Sequence, residues 1–464
     1  MNTTTDITTK ISILNPATGE VLQQVPTDSV ASIQSKFEKA RKAQPHWANV
    51  PLEKKLQIIK NFRELLISRK DSLAETLTRE IGKPISQARN ELHGLIGRID
   101  FFLEATPKVL KDSVVFQTEG QLEEKISHEP LGVILNISAW NYPYFVGANV
   151  WIPALLAGNS VLYKPSEFST LTGLRVQELF QEAGVPADVF AAVIGTGDIG
   201  AELLKLPVQG VFFTGSYATG KKILETVGPR MIRVQLELGG KDPVYVREDA
   251  DPVAVAAATA DGAFYNAGQS CCSVERIYVQ EKIYSKFVEA FVQTVKSFVV
   301  GDPLDPQTYL GPITREAHLS FLEQQVADAR QKGATLLLGG QRIKRPGFYF
   351  EPTVFTDVNH TMSLMREETF GPLIGIQKVQ NDEEAIQLMN DTPYGLTSSV
   401  YTQDRSKVEQ ILSQMNSGTV YWNCCDRISP KLPWSGRNHS GIGTTLSTYG
   451  VESFLQLKAW HLQT

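Results

Sequence analysis

Between Pro51 and Lys70 the apolar residues Leu56, Ile59, Phe62 and Leu66 fall on one side of a 3.6-residue period. Pro51 suits the first turn of the amphipathic helix this predicts. A second helix is predicted over Ile85–Glu104, where Leu92, Leu95, Ile96, Ile99 and Phe102 share a face and Pro107 discourages continuation. From Leu131 to Glu237 the pattern changes to short apolar, β-branched runs: GVILNIS, NSVLY, DVFAAVI, GVFFT and MIRVQLE. Helices predicted at Thr170–Ala183 and Ile199–Leu206 separate some of them, as right-handed crossovers over a largely parallel sheet require.

The alternation resumes after Glu237 with DPVYV, an Ala-rich helix at Val253–Asn266, the strand ERIYV and a helix from Lys282 to Phe298. Further on come helix 314–332, strands ATLLL, YFEPTVF and LIGIQKV, helix 382–389, strand SSVYT, helix 404–415 and strand TVYWN. Residues 113–130 predict two polar-faced strands around Gly120, and STYGVESFLQLKAW supplies another strand. Such edge strands can pair within the chain or with another subunit.

A chain of 464 residues, 42% hydrophobic and 20% charged, is too long for one small core and too apolar for disorder. The balance of 45 Lys and Arg against 50 Asp and Glu leaves no basic surplus for nucleic acid. No run of 18 apolar residues predicts a membrane span, and MNTTTDITTK lacks the arrangement of a secretory signal. Four cysteines, in the pairs Cys271–Cys272 and Cys424–Cys425, have neither zinc-knuckle spacing nor disulfide-scaffold density. These features point to a cytoplasmic protein. The seven histidines are dispersed without a metal-binding motif, so no metal is expected.

FTGSYATG sets Gly215 and Gly220 between a strand and a helix, where amides and helix polarity can hold a pyrophosphate or merely make a compact turn. In LYKPSE, Lys164 and Glu167 can contact ribose or form an ordinary charged turn. Cys271, in NAGQSCCS, is a candidate nucleophile or a buried thiol, with Cys272 a packing residue or pocket wall. Glu237, in LELGGK, is placed to act as a base, or else to pair structurally with Lys241.

The ordered set SAWNYP, KPSE, FTGS, LELGGK, NAGQSC, EETFGP and PWSGRNHSGIG resembles the NAD(P)-dependent aldehyde dehydrogenase superfamily across nearly the whole chain. The resemblance, including to succinate-semialdehyde dehydrogenase-like members, implies an α/β fold. Its parts are a Rossmann-like cofactor region at 1–111 and 131–237, a catalytic α/β region at 238–438, and a small β oligomerisation element at 112–130 and 439–464. It implies a homodimer or homotetramer using NAD, or also NADP, to oxidise a small-molecule aldehyde to an acid. Cys271 is then the nucleophile, passing through a thiohemiacetal and a thioester. Asn141 and the Cys271 amide stabilise the oxyanion, and Glu237 activates water.

By the same resemblance Trp140, Lys164, Glu167, Gly215, Ser216, Gly220, Leu238, Glu368 and Phe370 serve the cofactor. Tyr142, Phe145, Asn149, Ser270, Cys272, Arg427 and Ile428 line the aldehyde tunnel. Arg427 can grip a carboxylate such as that of succinate semialdehyde, or make a loop salt bridge. PWSG departs from the common PFGG-type form at Trp434 and Ser435, which loosens any transfer of one subgroup's substrate. Alternatives are a coenzyme A-acylating aldehyde dehydrogenase and a catalytically inactive nucleotide-binding assembly protein. The former is disfavoured by Glu237 and the latter by Asn141, Glu237 and Cys271 occurring together.

Overall fold

The computed structural model describes residues 9–463. Residues 1–8 and Thr464, the outer ends of the expected cofactor region and assembly element, lie outside it, as does most of MNTTTDITTK.

Five parallel strands, Val133–Ile137, Ser160–Lys164, Phe190–Ala192, Gly210–Thr214 and Arg233–Glu237, form the first large sheet. Their order across the sheet is 233–237, 210–214, 133–137, 160–164, 190–192, with Gly441–Ile442 added antiparallel beside 233–237. The strands are almost wholly buried because helices cover both faces, which explains why they read as continuous apolar runs rather than alternating ones. Ile137 pairs with Lys164 and with Phe213, and Thr214 pairs with Glu237. The candidate residues at or just beyond these strands therefore share one carboxyl edge. That edge includes the point where strand order reverses, between 133–137 and 210–214, which is where open α/β sheets bind ligands.

The second sheet has seven strands in the order Thr335–Leu338, Thr353–Thr356, Leu373–Val379, Val274–Gln280, Asp242–Val246, Thr397–Tyr401 and Thr419–Trp422. Only the first pairs antiparallel. Its core includes Phe264, Phe287 and Phe291, contributed by the helices Pro252–Phe264 and Glu281–Lys296. The predicted helix to Asn266 stops at Phe264. The chain then passes through Asn266, Ala267 and Gly268 with φ of 54°, 54° and 70°.

A helical layer of Val30–Ala48, Leu52–Ser68, Lys70–Ile81 and Ile85–Val109 packs on the first sheet and on the helix Pro143–Leu156. Its first and third members were not predicted. Val30–Ala48 buries only Ile33, Phe37, Ala40 and Trp47, too sparse an apolar stripe to stand out beside Pro45. The fourth continues past the expected Glu104 to Val109. Pro107 lies in the last turn, where its missing donor costs one bond, and Leu110 N–H still reaches the Thr106 carbonyl at 3.0 Å.

Ser113–Thr118, Leu122–Pro130 and Leu455–Gln463 make a three-stranded antiparallel sheet, and Lys10–Leu14 pairs with Val21–Pro26. Two details differ from expectation. Ser447–Glu452 is helical, so the last strand starts only at Leu455, and the 439–464 segment serves two sheets because Gly441–Ile442 joins the cofactor-side one.

Candidate active site

A cavity of about 1300 Å³ opens at the carboxyl edge of the first sheet and reaches the Cys271 turn of the second. Cys271, Glu237 and Asn141 all line it. So do Trp140, Lys164, Glu167, Gly215, Ser216, Leu238, Glu368 and Phe370, together with Tyr142, Phe145, Asn149, Ser270, Cys272, Arg427 and Ile428. Gly220 does not: it is buried in the helix Tyr217–Val227, where a Cβ would lie 2.5 Å from Leu238 Cδ2. It is a packing glycine that lets the helix approach the strand end.

Cys271 follows the left-handed run 266–268 and is half-buried. At Gly268 both φ and space forbid a side chain, since a Cβ would come within 2.2 Å of the Gly371 carbonyl oxygen. The strained turn is fastened by Gln269, which donates to the Asn266 carbonyl at 3.1 Å and accepts from Thr314 N–H at 3.0 Å. Asn141 Nδ2 donates to the Gln269 carbonyl at 3.0 Å, tying the first sheet's loop to the thiol's own segment. One Asn141 N–H is committed there, and the other has no acceptor among the described residues. The Cys271 amide N–H has no acceptor among the described residues.

The neighbouring thiol is different. Cys272 is pushed well up by its hydrogen bond with Cys271, by burial and by the Asp426 charge, and it donates to Asp426 Oδ1 at 3.1 Å. Cys272 is a wall of the cavity.

Glu237 ends its strand buried, and burial pushes its carboxyl up to about 7. A hydrogen bond from the Thr445 hydroxyl, the positive charge of Arg98 and the Gln235 side chain pull the other way. The alternative pairing with Lys241 does not form: Lys241 Nζ binds Glu275 Oε2 at 2.5 Å and Thr369 Oγ1 at 3.0 Å. Glu275 in turn accepts from the N–H groups of Thr369 (2.9 Å) and Phe370 (3.0 Å), so this buried pair holds the segment carrying Glu368 and Phe370. Phe370, at φ 48°, packs edge-on to Trp140 with ring centroids 5.6 Å apart.

On the cofactor side, Gly215 N–H is already used by the Glu237 carbonyl at 3.0 Å, and Ser216 caps its helix by accepting from Thr219 N–H. The Ser216 hydroxyl also donates to Thr219 Oγ1 at 3.1 Å, and both residues line the cavity. Lys164 is buried, yet among the described residues its ammonium reaches only the Pro165 carbonyl at 3.2 Å and Glu167 Oε2 at 3.8 Å. Glu368 accepts from Gly240 N–H at 3.1 Å, and burial lifts its carboxyl to about 8. Gly239 leaves the space above it, because a Cβ there would sit 2.3 Å from the carboxylate.

Four contributors escaped sequence reading. Thr445 and Asp426 carry no local signal, since each is an ordinary residue brought in by a distant loop. Glu275 sits unremarked at the head of ERIYV. Arg98 had one signal: Gly94 and Gly97 in mid-helix, where glycine is disfavoured unless something approaches closely. Phe145 does, since its ring would lie 2.6 Å from a Cβ on Gly94.

Residues 3–460 match the aldehyde dehydrogenase family. The chain belongs to that family. A succinate-semialdehyde dehydrogenase [NADP(+)] of Deinococcus radiodurans is 36% identical over 448 residues, 96% of this chain and 93% of that protein. Lactaldehyde dehydrogenase from Escherichia coli has a similar structure at TM-score 0.95 and 32% identity, covering 99% of this chain and 97% of that one. So has a 3,6-anhydro-L-galactose dehydrogenase in complex with NAP, at TM-score 0.94 and 33% identity, covering 98% and 96%.

The aldehyde dehydrogenase reaction, NAD(P)-dependent aldehyde oxidation, is therefore this chain's. The cavity fits such a dinucleotide: an under-satisfied buried ammonium at Lys164, a carboxyl at Glu368 with one hydrogen bond, and aromatic walls at Trp140 and Phe370. Among the described residues no cluster of three or more His, Cys, Asp or Glu is arranged to hold a metal, and no helix is long and apolar enough to cross a membrane.

Proposed function

We propose that this aldehyde dehydrogenase oxidises its substrate hydrolytically, with Cys271 as nucleophile, Asn141 as oxyanion donor and Glu237 as the base that activates water. The observation that carries the proposal is the meeting of these three groups in one cavity, with Asn141 bonded to the segment leading into Cys271. The Cys271 thiolate adds to the aldehyde carbon, and the oxygen takes up negative charge. The second Asn141 N–H and the free Cys271 amide are the donors for it. NAD(P), when held by Trp140, Lys164, Glu167, Ser216, Glu368 and Phe370, would supply the hydride acceptor, and the carbon bonded to Cys271 would then be left at the oxidation level of a thioester. Glu237 then takes a proton from water, whose oxygen attacks the thioester carbon, and the acid leaves as the thiolate is restored. A carboxyl titrating near 7 suits this role, being basic enough to take a proton and ionised in part at neutral pH.

Lys164, Glu167, Ser216, Glu368, Phe370 and Trp140 are the residues we assign to NAD(P). Glu167 beside Lys164 repels a 2′-phosphate that the lysine alone would attract, which favours NAD or dual use over strict NADP use. Succinate semialdehyde is the substrate we favour, in line with the Deinococcus relative and with arginines on the cavity wall.

We divide the chain into a cofactor region at 1–111 and 131–237, a catalytic region at 238–438 and an assembly element at 112–130 and 439–464. Val114, Val115 and Phe116 are exposed on the element's edge strand, which supports a homodimer or homotetramer. Four free thiols support a cytoplasmic setting.

The test is an aldehyde panel with NAD and with NADP, in the absence of coenzyme A, following acid and reduced nicotinamide together. Equal amounts of both support hydrolytic oxidation. Product that appears only when coenzyme A is added supports acyl transfer instead.

A further inference from the structure

Arg98 lies on the helix Ile85–Val109 and is 4% exposed. A guanidinium so far from water is normally held by a carboxylate, because its desolvation is otherwise uncompensated. Among the described residues Arg98 has no salt bridge. Glu91, on the same helix, is paired with Lys83 and accepts from Tyr144 N–H at 2.9 Å. Glu237 is held by Thr445 instead. Arg98 Nη1 donates to Asn149 Oδ1 at 2.8 Å and to the Phe145 carbonyl at 3.1 Å, and its carbon lies 4.1 Å from the centre of the Phe145 ring. These contacts fix the plane of the guanidinium. Nε and Nη2 have no acceptor among the described residues, so one side of the fork is unused.

That cation lines the cavity that also contains Cys271. Next to it Gly97 leaves open space, since a Cβ there would meet nothing within 4 Å. Arg427 is a weaker candidate for the same duty: it is exposed, and its Nη1 turns back to the Asp426 carbonyl at 3.0 Å.

We propose that Arg98, oriented by Asn149 and Phe145, is the anchor for a carboxylate at the far end of the aldehyde substrate. The substrate class is then a short aldehyde bearing a terminal carboxylate, whose planar oxygens match the free Nε and Nη2 edge. The inference rests on the aldehyde-oxidation reading above and names the group that selects the substrate. Arg98 also carries positive potential to Glu237 and both thiols, so its removal can disturb the chemistry itself. The test must separate recognition from that effect.

Arg98→Met and Arg98→Lys are compared with the unmodified enzyme on succinate semialdehyde and on butanal, a neutral four-carbon aldehyde. Loss of charge-assisted hydrogen bonds predicts that the ratio of kcat/KM for the anionic over the neutral substrate falls about 10- to 100-fold in Arg98→Met, mostly through KM. Arg98→Lys, which keeps the charge but not the fork, should fall between; it carries the comparison if Arg98→Met does not fold. Succinate, used as a non-reacting probe, should raise the melting temperature of the unmodified enzyme and not that of Arg98→Met. The proposal is overturned if both substrates lose efficiency alike, or if succinate stabilises enzyme and variants equally. If the unmodified enzyme oxidises no aldehyde, the oxidation reading fails, while succinate binding still reports separately on Arg98.

Discussion

The carboxylate of Glu237, at the end of the strand Arg233–Glu237, accepts a hydrogen bond from the hydroxyl of Thr445 near the other end of the chain. That bond favours the ionised carboxylate against the burial that holds its titration near pH 7. With Glu237 as the base for thioester hydrolysis, the hydrolytic rate should rise with pH through a midpoint near 7. Thr445→Val removes a bond to the charged form, so the carboxyl keeps its proton to higher pH and the midpoint moves up. The kcat–pH profile under hydrolysis-limited conditions checks this; an unmoved or lowered midpoint contradicts it.

Alkylation should distinguish the two adjacent thiols. Cys271 opens to the cavity, whereas Cys272 is buried, bonded to Asp426 and raised well above an ordinary thiol. One equivalent of iodoacetamide should abolish activity with the label on Cys271, as read by peptide mass spectrometry. Inactivation with the label on Cys424 or Cys272 would overturn the assignment.

Much of this site was legible because its motifs sit at strand ends. A strand terminus places its next residue at the sheet edge whatever the rest of the chain does, so Asn141, Lys164, Ser216 and Glu237 could be assembled from local pattern and family resemblance. Gly220 lies off the cavity wall, and the sequence does not show this because a glycine-rich turn looks alike whether it faces a ligand or lets Leu238 pack close. Thr445, Asp426 and Glu275 were invisible for the opposite reason: their importance comes from partners 208, 154 and 34 residues away. The helix Val30–Ala48 escaped because its stripe is narrow, and the Ala-rich helix was drawn too long because nothing local announces the left-handed turn at Asn266 and Ala267.

That turn makes its own prediction. Gly268→Ala places a methyl 2.2 Å from a backbone oxygen and at φ 70°, neither of which yields without moving the 266–271 segment. The expected cost is about 1–3 kcal/mol in stability. The displaced Asn141–Gln269 contact should lower kcat about 10-fold or more. Urea unfolding and steady-state kinetics measure the two separately, and unchanged kcat would show that the turn does not position the thiol.

The buried Lys241–Glu275 pair supports the segment Glu368–Phe370. Lys241→Met leaves the Glu275 charge without its cation and should cost about 3–5 kcal/mol. Urea unfolding reads the loss. The double variant Lys241→Met with Glu275→Gln should recover part of it, and no recovery would mean that the pair's charge is not what matters.

Glu167→Gln removes the carboxylate 3.8 Å from Lys164. Efficiency with NADP relative to NAD should rise about 10-fold, since the repulsion of a 2′-phosphate is gone while the lysine stays. Paired kcat/KM values for the two cofactors test it, and a fall in the ratio would contradict the role given to Glu167.

The most direct measurement is a rapid-mixing experiment on Glu237→Gln with saturating aldehyde and NAD(P), followed by mass analysis of the quenched protein. A Cys271 thioester that needs Glu237 for hydrolysis predicts a burst of about one reduced nicotinamide per active site, an acyl adduct on Cys271, and steady turnover slowed about 10²- to 10⁴-fold. Ordinary steady-state turnover with no adduct on Cys271 would contradict it.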